Sequence, residues 1–339
     1  MANYIKRKQD AQKEHPDCSG CGLCLLVCPL WRRNRDLQHS PQGWAKALQH
    51  GATPTELADT VQDCTLCRAC DPVCPEQIDV SGMILKLRKR MTQPRTAVLQ
   101  ERMSAQMRRP ARTYREKTAL LAGEALRAQP ELLSHIEVLL GKKSALAVAE
   151  DDGADISLAI EAGLEIPSER LAVLIEPLWR ADKVIAADGL LLPYLAQWLP
   201  NAKIFSLGET LSSLKSVRLN LRATDLYVIE PRAYHADYVR LVKHYERLRK
   251  ECGCEFNLDL QRIAIPATSS GLPQRLGLEA NDGYVPDDDM QARWVLHGRN
   301  NITRIVVESL EDRAAFQKVS DIPVVHLAEL VSSLEEAGA

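Results

Sequence analysis

Two kinds of hydrophobic patterning divide the 339-residue chain. In its first third, apolar positions recur at helical spacing. Trp44, Ala47, Leu48 and Gly51 share one periodicity, and Thr55-Glu-Leu-Ala-Asp-Thr-Val61 continues it after Pro54, a residue suited to a first helical turn. Ser81-Gly82 then precedes a further helix, Met83-Ile-Leu-Lys-Leu-Arg-Lys-Arg90, with one apolar face. Residues 96–148 carry many Arg, Gln, Glu and Ala with scattered Leu and Met, as in Thr118-Ala-Leu-Leu-Ala-Gly-Glu-Ala-Leu126, and predict a helical connector. Met103 and Met107 are i,i+4 neighbours that could suit a soft metal, but with no Cys or His beside them they read as core.

From about residue 150 the pattern changes to short apolar runs separated by helical stretches. Leu171–Ile175, Lys183–Ala186, Lys203–Phe205, Leu226–Ile229, Arg262–Ile265, Arg304–Val307 and Ile322–Val325 predict strands. Glu230-Pro231 and Ile265-Pro266 end two of them where a strand-to-helix loop begins. Strands alternating with helices imply parallel sheets covered by helices. The expected fold is therefore α + α/β: an all-helical domain over residues 1–95, the connector over 96–148, and an α/β domain over 149–339 made of two sub-repeats, about 149–250 and 251–339. No G-x-G-x-x-G or G-x-x-x-x-G-K-[ST] string is present, so no nucleotide-binding motif supports that reading of the α/β half.

Composition adds little until charge is divided along the chain. With 45% hydrophobic and 26% charged residues, disordered and collagen-like classes are excluded. The apolar run around 190–200 is interrupted by Pro193 and is too short to span a bilayer, and the charged amino terminus lacks the apolar core of a signal peptide; the expectation is a cytoplasmic protein. Residues 1–115 hold 19 Lys and Arg against 11 Asp and Glu, whereas the remainder holds 24 against 34. A basic amino-terminal part can face nucleic acid, a membrane surface or an acidic protein, or it can balance buried negative charge.

The cysteines supply that negative charge. Eight of ten fall in two runs, Cys18-Ser-Gly-Cys21-Gly-Leu-Cys24-Leu-Leu-Val-Cys28-Pro29 and Cys64-Thr-Leu-Cys67-Arg-Ala-Cys70-Asp-Pro-Val-Cys74-Pro75. Both have the spacing C-x2-C-x2-C-x3-C-P, which suits a cubane [4Fe-4S] cluster, with three thiolates from a tight loop and the fourth Cys leading away. In two-cluster ferredoxins the fourth Cys of each run ligates the other cluster. The expected ligand sets are thus Cys18, Cys21, Cys24 and Cys74 for one cluster and Cys64, Cys67, Cys70 and Cys28 for the other. Zinc is the chemical rival, but zinc sites commonly use two C-x2-C pairs and do not require four cysteines and a proline, twice. Two oxidised cubanes bring roughly −4 of charge, which the basic excess partly offsets. Arg68, Lys86, Arg88, Lys89 and Arg90 lie near the second run in sequence; they could favour the reduced state or dock an acidic donor, or they form an ordinary solvated helix face.

These runs and the 35-residue helical spacer between Cys28 and Cys64 resemble the helical two-cluster module found in heterodisulfide reductase, in the iron-sulfur subunit of glycolate oxidase and in anaerobic glycerol-3-phosphate dehydrogenase. The resemblance covers roughly residues 10–95. It implies a module that relays electrons between a flavin-containing dehydrogenase or an electron carrier and a terminal acceptor, as one subunit of a larger complex, with the eight cysteines as ligands. The α/β half looks like a degenerate form of the cysteine-rich CCG domain of the same superfamily. Its best segments are Tyr227-Val-Ile-Glu-Pro-Arg-Ala-Tyr234, Arg262-Ile-Ala-Ile-Pro266 and Ile322-Pro-Val-Val-His-Leu327. It departs from that family by lacking the Cys-Cys-Gly and C-x-x-C elements. Thr268-Ser269-Ser270-Gly271 and Glu308-Ser309-Leu310-Glu311 stand near where thiolates are expected, and hydroxyls and carboxylates are poor cluster ligands.

The expectation is a non-catalytic electron-transfer subunit with two [4Fe-4S] clusters, its partners being other subunits of a heterodisulfide-reductase-like or flavin dehydrogenase complex, with sulfur oxidation as one home that analogy suggests. An alternative places a thiol- or disulfide-acting site at Cys252 and Cys254, which are otherwise two reduced thiols near a helix end. Tyr234-His235 and His244 precede them and could join a metal site there. A nucleic-acid-binding reading is disfavoured because basic residues are not interleaved with aromatics, which make up 5% of the chain.

Overall fold

The computed structural model describes residues 15–91, 96–108, 114–141, 145–259, 261–268 and 289–331. Ser269, Ser270 and Gly271, singled out above, lie outside them. The amino-terminal part is helical. Gly22, at φ 79°, turns the chain into α1 (Leu23–Val27), and an extended Cys28 separates it from α2 (Pro29–Asn34), whose first position is proline. Ser40 caps α3 (Pro41–Gln49) by accepting from the Gly43 amide, and the fully buried Trp44 donates its indole N–H to Thr60 in α4 (Ala58–Val61). The second cysteine run repeats the form of the first. α5 (Cys70–Val73) carries the third cysteine and an extended Cys74 follows it. α6 (Val80–Lys89) begins three residues before the expected Met83, because Asp79 caps it at the Gly82 amide.

The stretch 96–148 is not wholly helical. After α7 (Thr96–Met107) it enters β1 (Thr118–Leu121), and it closes with β2 (Leu146–Val148) after further helices. Thr118–Leu121 is buried throughout and hydrogen-bonded on both sides, so its place inside a sheet overrides the helical preference of Ala and Leu. Conversely, Leu171–Ile175, expected as a strand, lies in α9 (Ser168–Ile175), which follows α8 (Ala154–Glu161). Pro167 starts that helix, and Arg170 within it is held by Asp151 and Asp155. Arg262–Ile265 makes only an isolated bridge, between Leu258 and Ala264.

Two parallel four-stranded sheets result. β3 (Lys183–Ala186) and β4 (Lys203–Ser206) complete the first in the order β2-β1-β3-β4. β5 (Asp225–Val228), β6 (Glu255–Phe256), β7 (Arg304–Val307) and β8 (Val324–His326) form the second in the order β6-β5-β7-β8. Relative to chain order, the two are identical, and the passage from the first sheet to the second falls between Ser206 and Asp225 rather than near residue 250. The expected boundary is displaced because β1 and β2 belong to the first sheet. Between β5 and β6 run α10 (Pro231–Ala236) and α11 (Tyr238–Cys252), and α12 (Asp289–Leu296) precedes β7. One hydrophobic core joins Trp44, Leu66 and Ile84 of the helical part to Val184 of the first sheet and to Leu191 beyond β3, and a second joins Leu120 and Ile185 to Tyr227 and Val306 across both sheets.

Candidate functional site

The fold gathers the eight cysteines of the two runs into two cavities. Cys18, Cys21, Cys24 and Cys74 line one, with Gln42, Ala45, Ile78 and Met83; Cys28, Cys64, Cys67 and Cys70 line the other, with Leu66, Ser81 and Ile84. Each cavity thus draws three thiols from one run and the fourth from the other. Packing of α1 against α5 brings this about, since each of these helices ends at a fourth cysteine. Left-handed residues shape the loops: Gly20 and Gly22 in the first run, Leu66 and Arg68 in the second. Among the described residues no three His, Cys, Asp or Glu groups converge where a single metal ion would sit. The thiols surround a volume instead. Burial and the neighbouring thiols push Cys24 up to about 12, burial pushes Cys64 up to about 11, and burial raises Cys28, Cys67 and Cys70 as well. The four sulfurs of the second cavity resist existing as bare thiolates, so that donor set fits a group that brings its own positive core.

Residues 14–78 match the family described as the 4Fe-4S dicluster domain. The amino-terminal region is thus similar to 4Fe-4S dicluster domains. Over 109 residues the chain is 32% identical to a probable glycolate oxidase iron-sulfur subunit of Bacillus subtilis (strain 168), covering 30% of this chain and 24% of that protein. The chain therefore spans about a quarter of the length of this curated relative. Both findings support the superfamily that the cysteine spacing suggests.

The amino-terminal region holds its two cysteine loops differently. Around the first, one face of α3 serves the backbone. Lys46 Nζ donates to Cys18 O at 2.8 Å, Gln42 to Gly20 O at 2.9 Å, and Gln49 to His15, Pro16 and Cys18 carbonyls. These side chains escaped the sequence reading, although their i, i+4, i+7 spacing was an available signal. Cys21 remains exposed. The second loop is buried and anchored by arginines. Arg88, with no exposed surface, donates to the carbonyls of Val61, Gln62, Cys64 and Glu161 at 2.6–2.9 Å. It is therefore not part of a solvated helix face, whereas Lys86, Lys89 and Arg90 are exposed as that reading required. From the α/β half, Arg232 donates through Nε and Nη2 to Thr65 O and reaches Glu161 at 3.3 Å; His235 Nδ1 stands 2.7 Å from Cys67 O.

Beside the amino-terminal region a cleft of about 480 Å³ opens where the carboxyl ends of β1, β3, β5 and β7 meet. Arg232 lines it with Glu161, Asp188, Glu230, Glu308 and Glu311. Glu308 accepts from the Tyr227 and Tyr245 hydroxyls, each at 2.7 Å, and from the Glu230 amide; burial pushes Glu308 and Glu230 up to about 7. Glu308 and Glu311 both face this cleft.

Cys252 and Cys254 stand apart from the eight cysteines of the two runs. Cys252 ends α11, Gly253 follows at φ 70°, and the two sulfurs are 2.8 Å apart. Neither histidine joins them. His235 bonds Cys67 O, and His244 Nε2 bonds Ser212 at 2.9 Å. Among the described residues no helix is long and apolar enough to cross a membrane.

Proposed function

We propose that the chain is an electron-transfer subunit in which Cys18, Cys21, Cys24 and Cys74 hold one [4Fe-4S] cluster and Cys64, Cys67, Cys70 and Cys28 hold a second. A [4Fe-4S] cluster supplies one-electron transfer. The single observation that carries the reading is the pair of four-thiol cavities, each drawn three plus one from two runs of cluster-type spacing. The chain's own residues fix the loops: α3 side chains bond the first run's carbonyls, while Arg88, Arg232 and His235 bond those of the second. The exposed Cys21 gives the first site a face toward a partner, and the second site lies against the α/β half.

The name of the Bacillus subtilis relative, an iron-sulfur subunit, supports a place beside other redox subunits. We assign the chain to a heterodisulfide-reductase-like or flavin dehydrogenase complex acting in the cytoplasm, sulfur metabolism being one setting, with the α/β half as a docking platform. The repeated strand order supports a degenerate CCG-like origin for that half. Iron and acid-labile sulfide in anaerobically purified protein test the reading. About eight of each per chain is expected; roughly twelve means a third cluster, and zinc without sulfide overturns the proposal.

A second reading, a thiol- or disulfide-acting site, draws support from the Cys252–Cys254 pair. The contact with the neighbouring Cys254 sulfur brings Cys252 down to about 7, while that same contact and burial raise Cys254. Turnover with the natural partners that survives alkylation of both thiols removes it.

A further inference from the structure

We propose that Arg88 and Arg232 are positioning residues that hold the reduction potential of the second cluster up, so that electrons settle on the side of the dicluster domain facing the α/β half. The inference rests on the two-cluster reading above and adds to it an asymmetry between the two sites.

Reduction of a cluster adds one negative charge to a group already negative. Burial opposes that charge, and a nearby cation that cannot lose its proton favours it. Both effects bear on the second site. Its cysteines are the more buried set, with Cys28 and Cys70 buried and Cys21 of the first set exposed. Left alone, burial places the second cluster at the lower potential. Against this stand Arg88, whose Nη2 lies 2.6 Å from Cys64 O, and Arg232, whose Nη2 lies 2.7 Å from Thr65 O. Arg68, within the run, is also buried, and Arg32 lies near Cys28 and Cys67. The anionic groups near this loop and its arginines are Asp71, which accepts from Ser81, Asp63, which Arg33 and His39 engage, and Glu161, Asp188, Glu230 and Glu311, which face Arg232. Of all these charged groups, Arg88 and Arg232 are the ones that donate directly to the loop's carbonyls. At the first site the comparable cation is Lys46, half-buried, with Glu76 lining the cavity.

The geometry separates the two arginines in a useful way. Arg88 arises within the dicluster domain, on α6. Arg232 arises from α10 and reaches across 167 residues of sequence, so the α/β half itself adjusts the cluster it covers.

The test is an anaerobic redox titration of the purified full chain followed by electron paramagnetic resonance, after iron and sulfide have been counted. The signal lost in Cys67→Ser identifies the second cluster. Arg232→Gln should lower its midpoint by about 59 mV or more, a tenfold fall in the reduced-to-oxidised ratio at fixed ambient potential. Arg232→Lys, which keeps the charge, should restore most of the shift, and Lys46→Gln should leave the second cluster where it is. Arg88→Gln should act in the same direction as Arg232→Gln; if that variant does not fold, Arg88→Lys and the Arg232 pair still decide. About eight irons in every variant with an unmoved second midpoint in Arg232→Gln overturns the inference while leaving the two-cluster reading standing. An equal shift in Arg232→Gln and Arg232→Lys also overturns it, since geometry rather than charge would then be at work. Wild-type protein without two countable clusters brings down the underlying reading and this inference together.

Discussion

Replacing the fourth cysteine of either run separates crossed ligation from sequential ligation. If the cavities define the ligand sets, Cys74→Ser damages the site built by the first run, because Cys74 lines the cavity of Cys18, Cys21 and Cys24. Cys28→Ser, by the same geometry, damages the site built by Cys64, Cys67 and Cys70. A serine hydroxyl is a poor ligand for iron. Each variant should therefore lose about four of roughly eight irons and one of two reducible centres. The assay compares four variants in pairs by iron content and by the resonance spectrum of the dithionite-reduced protein. Crossed ligation requires Cys74→Ser and Cys21→Ser to abolish one signal, and Cys28→Ser and Cys67→Ser the other. If Cys74→Ser and Cys67→Ser abolish the same signal, the reading of the two cavities as ligand sets is refuted. Cys28 is buried, so its variant must also retain the circular dichroism of the parent for the comparison to hold.

Three further outcomes follow from the α/β half. Arg170 is fully buried and bonds both carboxylate oxygens of Asp151 and Asp155 at 2.6–2.8 Å; Arg170→Met leaves Asp155 buried without its partner and should cost about 3–5 kcal/mol, read as a lowered urea midpoint, and a loss below about 1 kcal/mol refutes it. Glu308 is raised from 4.5 to about 7 by burial, so the fold binds its proton more tightly than the unfolded chain does, and its contribution declines as pH rises through 7. Between pH 6 and 9 the stability of the parent should fall by about 1.4 kcal/mol relative to Glu308→Gln, and a constant difference across that range contradicts the assignment. Gly163, at φ 72°, lets α8's end approach α6 so closely that an added Cβ would lie 2.5 Å from Lys89 N and 2.6 Å from Arg88 C. Gly163→Ala should lower the melting temperature and loosen the Arg88 contacts, seen as faster amide exchange in residues 61–64; unchanged exchange there dismisses the link.

The two cysteine runs, and the two cavities they line, were legible because their spacing and prolines are written locally. Strands β3, β4, β5, β7 and β8 were legible too, as short branched-aliphatic runs with clear ends. Thr118–Leu121 was hidden because Thr-Ala-Leu-Leu carries no strand signal of its own and is fixed by pairing with residues 146–148 and 183–186. Leu171–Ile175 misled for the converse reason: a short apolar run has no period long enough to tell strand from helix. Arg88 was seen in the sequence as one of several basic residues on α6. What sets it apart, the carbonyls of Val61, Gln62, Cys64 and Glu161, becomes visible only when distant segments meet. Arg232 lay inside a quoted segment, yet nothing local tied it to Thr65.

The Arg232 and His235 anchors also set a timetable for biosynthesis. They contact Thr65 and Cys67 across 167 and 168 residues, so a ribosome finishes both cysteine runs well before it makes the residues that close over the second. At bacterial-like elongation rates that interval is roughly 10–30 s. During it the second loop has all its cysteines and is open on the side later covered, so on the two-cluster proposal a cluster can be loaded into a site that the finished protein shields.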